Sequence, residues 1–334
     1  MHTSFDKHSP RNLYPTSDRR RFLSEMLCLG SALTFGIAGC DSNKTPGQPE
    51  SGKLETVATT GMIADLVLAI GGDHVALTQL IGAGVDPHLY KPIRDDIVQV
   101  LGSELVFYNG LMLEGRMAEL FARASTADRR VLALSDAIPA EKYMSEPGTD
   151  ATDPHIWMDV SMWSIATHSI EQVLSTALPD HVSEFQERGE SLRKRLDALD
   201  RQGLAALSSV PNHQRVLITS HDAFQYFGRR YGIEVQGIQG MSTASEAGLQ
   251  RIPELLDLII ARSVKAVFRE SSVAGKLIEA LVEGAAARGY QLKVGEELYS
   301  DALGPRGSGA DSYIGMMEHN FREISTALGG EWQN

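Results

Sequence analysis

The chain of 334 residues contains only two cysteines, Cys28 and Cys40, and both lie near its N-terminus. A disulfide framework and a cysteine-based zinc site are therefore excluded from the body of the chain. Basic residues are not in excess either, because the formal net charge is −12 at pH 7. Without a basic stripe to neutralise phosphates, nucleic acid is not expected as a partner. The HExxH motif of many zinc hydrolases is also absent.

The mostly apolar run at residues 26–37 is too short for a standard transmembrane helix. It follows the segment SDRRRFL and ends in Ile-Ala-Gly-Cys at residues 37–40. The first feature resembles a twin-arginine export signal and the second a bacterial lipobox, whose cysteine is lipidated. We therefore predict a signal peptide over residues 1–39. Residues 40–53 are predicted to comprise a lipidated Cys40 and a polar, flexible tether. The protein would then be exported and anchored to the membrane, facing the periplasm or the cell exterior.

Short β-branched runs alternate with helix-periodic segments along the rest of the chain, which predicts βαβ units and parallel sheets. Residues 180–209 lack proline and keep one apolar face, which predicts a helix of roughly 45 Å. The predicted fold is therefore α/β, with two lobes that each contain a four-stranded parallel sheet flanked by helices, joined by one long rigid helix. The predicted boundaries are 54–179 for the N-terminal lobe, 180–210 for the linking helix and 211–334 for the C-terminal lobe.

The tripeptide Asp-Pro-His occurs twice, in GVDPHLYKP and in TDPHIWMDV, where it presents His88 and His155. Proline fixes its own φ and restricts the preceding residue, so each histidine follows a rigid stretch of backbone. A rigidly held imidazole suits a metal site whose geometry exists before the metal arrives. The alternative is that these are two coincidental loop histidines.

Two further candidates follow predicted strands in the second half, because His221 ends RVLITSH and Asp301 comes after LKVG. Ligands of open parallel sheets bind outside the carboxyl ends of the strands, so all four side chains are expected to meet in a cleft between the lobes. Three imidazoles and a carboxylate suit Zn²⁺, Mn²⁺ or Fe²⁺. Glu270 is a candidate acceptor for a ring N–H of one of these histidines, with a helix-capping role as the alternative. The other histidines of the mature chain are expected to be surface or helix residues rather than ligands: His74, His168, His181, His213 and His319.

The segments that carry these residues resemble the metal-binding lipoproteins of bacterial ABC importers, the cluster A-I (cluster 9) solute-binding family, and within it the TroA-like branch. The matching segments include TTGMIADLV, GVDPHLY, DPHIWMDV, LITSHDAFQYFGRRYG and GEELYSDALG, and they are spread over about residues 54–328. The resemblance implies two lobes, one long joining helix and a metal in the cleft. It also implies the same four ligands, His88, His155, His221 and Asp301.

The resemblance further implies a protein that is not an enzyme but captures a divalent metal and delivers it to an ABC permease and its ATPase. We expect a monomer. Three histidines and one aspartate favour Zn²⁺ on ligand preference, although the TroA-like branch is associated with both zinc and manganese, and Fe²⁺ is less expected. Manganese-specific relatives often place glutamate at the position of His221. Many dedicated zinc relatives carry a histidine-rich loop where residues 139–153 contain no histidine.

Two other functions stay open at this point. A secreted zinc-dependent hydrolase would require one open coordination position beside the three histidines. A metal-stabilised surface adhesin, in which the metal serves only the fold, would use the same four side chains in a cell-adhesion role.

Overall fold

The computed structural model describes residues 52–146, 149–244 and 250–333. The predicted signal peptide at 1–39, Cys40 and the tether up to residue 51 lie outside the described residues. None of the helices in the described ranges combines the length and the apolar character that a membrane crossing requires.

The first half of the described chain forms one sheet of four parallel strands: β1 (Leu54–Ala58), β2 (Val75–Gln79), β3 (Leu105–Tyr108) and β4 (Arg130–Ala133). Their order across the sheet is β2-β1-β3-β4. Parallel strands need crossover connections, and these are supplied mainly by helices, which are α1 (Gly61–Gly71), α2 (Arg94–Gly102) and α3 (Ala118–Ala124). A fourth helix, α4 (Val160–Ala177), follows the sheet.

The segment before α3 differs from its predicted form. The sequence pattern predicts a helix over residues 111–123, but the helix begins only at Ala118. Leu111 and Met112 have φ angles of 51° and 64°, which place them in the left-handed region. The buried carboxylate of Glu114 accepts hydrogen bonds from two backbone N–H groups of the preceding turn and from a threonine hydroxyl. These bonds hold the chain in a turn because a helix would leave the buried carboxylate without its partners.

The second half contains four short parallel strands in two pairs: β5 (Val216–Thr219) with β6 (Glu234–Gly237), and β7 (Ala266–Val267) with β8 (Lys293–Val294). The pairs lie side by side, because the backbone N–H of Phe268 donates to the carbonyl of Ile218 (2.9 Å). The helices are α6 (Gln225–Tyr231), α7 (Arg251–Arg262), α8 (Lys276–Ala287) and α9 (Tyr313–Ala327). The predicted α/β fold class is confirmed, although the second sheet is divided into two pairs of strands.

One long helix, α5 (Val182–Ser208, 27 residues), lies between the two halves in sequence and packs against both. At 1.5 Å per residue it extends for roughly 40 Å. It contacts α1 and α4 of the first half and α6 and α9 of the second. Close packing is possible because Gly203 has no side chain; a Cβ there would lie 2.4 Å from the ring of Phe321. The largest apolar core accordingly contains residues of both halves. The predicted lobe boundaries themselves stay a prediction.

Candidate metal centre

Four side chains from distant parts of the sequence meet in one buried cluster: His88, His155, His221 and Asp301. Their exposed fractions are 8%, 0%, 0% and 1%. One donor atom from each lies within 4.8 Å of the donor atoms of the others. The structure therefore brings together all four of the residues that the sequence analysis selected as candidate ligands.

The shortest distances in the cluster have the scale of a coordination shell. Nε2 of His88 lies 3.2 Å from Nε2 of His155. The carboxylate of Asp301 lies 3.4 Å from Nε2 of His155 and 3.2 Å from Nε2 of His221. A tetrahedral zinc ion with bonds of about 2.0–2.1 Å keeps its ligand atoms roughly 3.3 Å apart. The spacing of these atoms therefore fits such an ion.

The chain places these residues at the ends of regular elements. His88 lies in the loop that follows β2, and His221 comes two residues after β5. Asp301 lies in the loop after β8, and His155 directly precedes a 3-10 turn that leads into α4. Two side chains come from each half of the molecule. His88, His221 and Asp301 follow parallel strands, in agreement with binding at the carboxyl ends of such strands, whereas His155 does not.

Two buried polar atoms of the cluster indicate whether these residues fit a metal. Nε2 of His221 and Oδ1 of Asp301 are buried and face other atoms of the cluster at 3.2 and 3.4 Å, but neither makes a hydrogen bond of normal geometry among the described residues. Buried polar atoms are normally paired, and each exception calls for an explanation. Nitrogen and carboxylate donors that face one another in this way are chemically suited to a first-row divalent cation.

The two aspartates of the Asp-Pro-His segments also hold the histidines in place. Oδ1 of Asp86 accepts the backbone N–H of His88 (2.8 Å), and Oδ1 of Asp153 accepts that of His155 (2.9 Å). Oδ1 of Asp153 also lies 2.7 Å from Nδ1 of His155. The rigidity predicted from the two prolines is therefore shared with the two aspartates. The aspartate two residues before each histidine was the available signal, because Asx turns use this spacing.

Glu270 performs the equivalent task for the third histidine. Its Oε1 accepts the backbone N–H of His221 (2.8 Å), and its Oε2 lies 2.6 Å from Nδ1 of the same ring. The ring nitrogen Nε2 of His221 is thereby directed toward Asp301 and the other candidate ligands. Among the described contacts, Glu270 caps no helix, since α8 begins only at Lys276.

The charges of the cluster shift the pKa values of its members in different directions. Burial lowers the pKa of His88 to about 3. Burial would also lower the pKa of His155, but the carboxylates of Asp153 and Asp301 outweigh it and raise this pKa to about 9. The pKa of Asp301 is held well below its usual range by the neighbouring imidazoles despite its burial. Protons compete with a metal for such nitrogens, so metal binding must release protons and weakens in acid.

Several hydrogen bonds join the two halves around the cluster. The indole N–H of Trp157 donates to the carbonyl of Ser300 (2.8 Å), and the hydroxyl of Tyr226 donates to the carbonyl of Asp153 (2.9 Å). The hydroxyl of Thr243 donates to Oδ2 of Asp86 (2.5 Å), beside His88. The candidate ligands of one half are therefore positioned partly by the other half.

Fold and centre together define a class, the α/β proteins that hold a small ligand between two parallel-stranded lobes. The family model described as ZnuA, zinc-uptake complex component A, periplasmic, matches residues 56–327. The match covers well over half of the chain, and the chain belongs to this family.

Individual relatives agree with this assignment. The chain is 40% identical over 295 residues to the manganese-binding lipoprotein MntA of Bacillus subtilis (strain 168), which covers 88% of this chain and 96% of that protein. It is 42% identical over 311 residues to the zinc-binding protein TroA of Treponema pallidum (strain Nichols), which covers 93% of this chain and 99% of that protein. The structure of the periplasmic zinc binding protein TroA from Treponema pallidum matches with a TM-score of 0.80 at 42% identity, over 83% of this chain and 99% of that chain. The resemblance to the TroA-like branch is confirmed.

Proposed function

We propose that the protein is an extracytoplasmic solute-binding protein that captures a divalent transition metal between its lobes and delivers it to an ABC permease with its ATPase. The observation that carries this proposal is the buried cluster of three imidazoles and one carboxylate, with donor atoms at coordination spacing. Its proposed ligands are His88, His155, His221 and Asp301. The family match and the zinc and manganese relatives support it.

The metal is the transported substrate, either Zn²⁺ or Mn²⁺. Three nitrogen donors with one oxygen donor suit Zn²⁺, because imidazole is one of its preferred ligands. Mn²⁺ is retained as the second substrate because a carboxylate contributes to the site and the Bacillus subtilis relative is described as manganese-binding.

The proposed chemistry is binding and release rather than catalysis. A catalytic zinc site keeps one position open for a water molecule. In this cluster four protein donors lie within 4.8 Å of one another, and His155, His221 and Asp301 are fully buried. A hydrolase would have to expose one of these positions, so binding is the function that the geometry supports better.

The site of action is proposed to be outside the cytoplasm. Export through the predicted signal peptide at residues 1–39 and lipidation of Cys40 would leave a monomeric body tethered to the membrane, beside its permease. The Bacillus subtilis relative is a lipoprotein, which supports this arrangement.

Metal binding to the purified protein is the experiment that tests the proposal. One tightly bound equivalent of Zn²⁺ or Mn²⁺ per chain is expected by isothermal titration and elemental analysis. The melting temperature is expected to rise with the metal concentration, because a ligand that binds only the folded state stabilises it. A melting curve that is unchanged by both metals would contradict the proposal. The metal recovered with protein purified from its native host, without added metal, identifies the physiological substrate.

Substitution of Glu270 by glutamine is expected to weaken zinc binding by about 10–100-fold, the usual effect of losing the outer partner of a metal-bound histidine. The shape of the side chain is kept, but the negative charge beside Nδ1 of His221 is lost. Competition with a zinc chelator measures the effect. The exposed Glu296→Gln in the same half is the matched control and should leave the affinity unchanged. Equal affinities of the two variants would show that Glu270 does not support the site.

A further inference from the structure

A second group of metal-ligating side chains lies outside the centre: His74, His181 and Glu184. His74 directly precedes β2, His181 directly precedes α5, and Glu184 lies in the first turn of α5. His74 and His181 are thus 107 positions apart in the sequence and are brought together by the fold. From the sequence, both histidines are expected to be surface or helix residues rather than ligands.

Two hydrogen-bonding distances between imidazole and carboxylate define this group, and both are close to the ligand spacing of a coordination shell. Nε2 of His74 lies 2.9 Å from Oε2 of Glu184, and Nδ1 of His181 lies 3.0 Å from Oε1 of the same carboxylate. All three donor atoms lie within 4.8 Å of one another. Ligands of a tetrahedral zinc ion are roughly 3.3 Å apart, so small rotations of side chains would place the three around one ion.

The imidazole rings of His74 and His181 pack against a buried side chain on one side and are open to solvent on the other. The two imidazole rings are 3.8 Å apart between centroids, and both lie beside the buried ring of Phe185. All three side chains of the group are partly exposed. Water can therefore complete the coordination of a bound ion and give it access from solvent.

One cation, Arg188, lies beside the group. Its guanidinium group is 3.2 Å from Oε2 of Glu184 and also donates to the backbone carbonyl of Gly71 (3.1 Å). Because the carbonyl holds Arg188 independently, the carboxylate of Glu184 can turn toward a metal without releasing the arginine. The nearby positive charge is expected to make metal binding weaker than in the central cleft.

We propose that His74, His181 and Glu184 form a second, peripheral site for a divalent cation of the zinc class. The site lies beyond the end of β2 opposite to His88, and β2 spans about 17 Å. It is therefore distinct from the cleft between the lobes. A bound ion connects the start of the long helix α5 to the segment that links α1 to β2, and so stabilises the contact of α5 with the first half.

Zinc titration of the purified protein tests this site. After one equivalent of Zn²⁺ has filled the tighter site, a second and weaker equivalent is expected in isothermal titration. His181→Gln and Glu184→Gln should each remove the second equivalent and keep the first, whereas Asp301→Ala should remove the tighter one and keep the weaker one. The exposed His213→Gln is the matched control and should keep both.

Two results would overturn the second site. One is a wild-type titration that ends at a single equivalent while Asp301→Ala binds none. The other is a second equivalent that survives in both His181→Gln and Glu184→Gln. Far-UV circular dichroism of each variant separates loss of the site from loss of the fold. If the central site instead does not bind zinc, the titration of the wild-type protein will show no tightly bound equivalent.

Discussion

Replacement of Asp301 by alanine is expected to abolish tight metal binding. Asp301 is the only carboxylate in the central cluster, and it lies 3.4 Å from Nε2 of His155 and 3.2 Å from Nε2 of His221. Loss of an outer partner typically costs 10–100-fold in metal affinity, so loss of a direct ligand should cost more than about 100-fold. Without this charge, three buried imidazoles alone would have to compensate a divalent ion. We expect the rise in melting temperature that the first, tightly bound equivalent of zinc produces to disappear.

His88→Ala and His168→Ala make the comparison specific. His88 belongs to the cluster and its loss should weaken binding strongly, as for Asp301. His168 is an exposed residue of α4, and its replacement should leave both the affinity and the zinc-dependent rise in melting temperature unchanged. Chelator competition at fixed pH measures all three affinities. Equal effects of the three substitutions would mean that the cluster does not hold the metal.

The regular elements could be predicted because their signals are local. The run ELVFY at residues 104–108 predicts a strand, which is found at Leu105–Tyr108, and the helix predicted at 180–209 is found at Val182–Ser208. The boundaries of these elements can be read from local residues, because turn residues flank the strand and the amphipathic helical segment contains no proline. The helix predicted at residues 246–261 begins at Arg251 in the structure, and residues 245–249 lie outside the described chain.

The four clustered side chains could be selected because each follows a recognisable backbone signal, a proline or a strand end. Their partners could not, because those contacts depend on tertiary packing. Glu114 interrupts a segment with helical spacing, because its carboxylate accepts hydrogen bonds from the backbone of Asn109 and from the hydroxyl of Thr59, which follows β1. The spacing of apolar residues contains no information about such bonds. The contact between His74 and His181 joins residues that are far apart in sequence. Where a histidine has no motif around it, its sequence neighbours do not predict which carboxylate it contacts in the fold.

The arrangement of the cluster explains why substrate binding should depend on both halves of the molecule. His88 and His155 belong to the first half and are oriented by Asp86 and Asp153. The two remaining side chains belong to the second half, where Glu270 orients His221. Because α5 packs against both halves, large hinge motions are disfavoured and a change in metal occupancy should act through small rearrangements of the loops.

Replacement of Trp157 by alanine is expected to destabilise the protein by about 3–5 kcal/mol, the usual cost of removing a large buried aromatic side chain. Trp157 is buried, and its ring lies 5.3 Å from the ring of His155. Its indole N–H donates to the carbonyl of Ser300, the residue before Asp301. One side chain therefore connects candidate ligands of the two halves. Its loss should lower both the free energy of unfolding and the affinity for zinc.

Phenylalanine substitutions separate packing from hydrogen bonding. Trp157→Phe keeps most of the ring but leaves the buried carbonyl of Ser300 unpaired, at a cost of about 1–3 kcal/mol.

Trp163 is an equally buried tryptophan whose indole N–H has no hydrogen-bond partner among the described residues. Trp163→Phe therefore loses a similar volume without orphaning an acceptor, and it should cost less and leave zinc affinity unchanged. Urea denaturation followed by circular dichroism measures the two stabilities. Equal losses would show that the Trp157–Ser300 bond contributes nothing, and an unaltered zinc affinity in Trp157→Phe would show that this bond does not position Asp301.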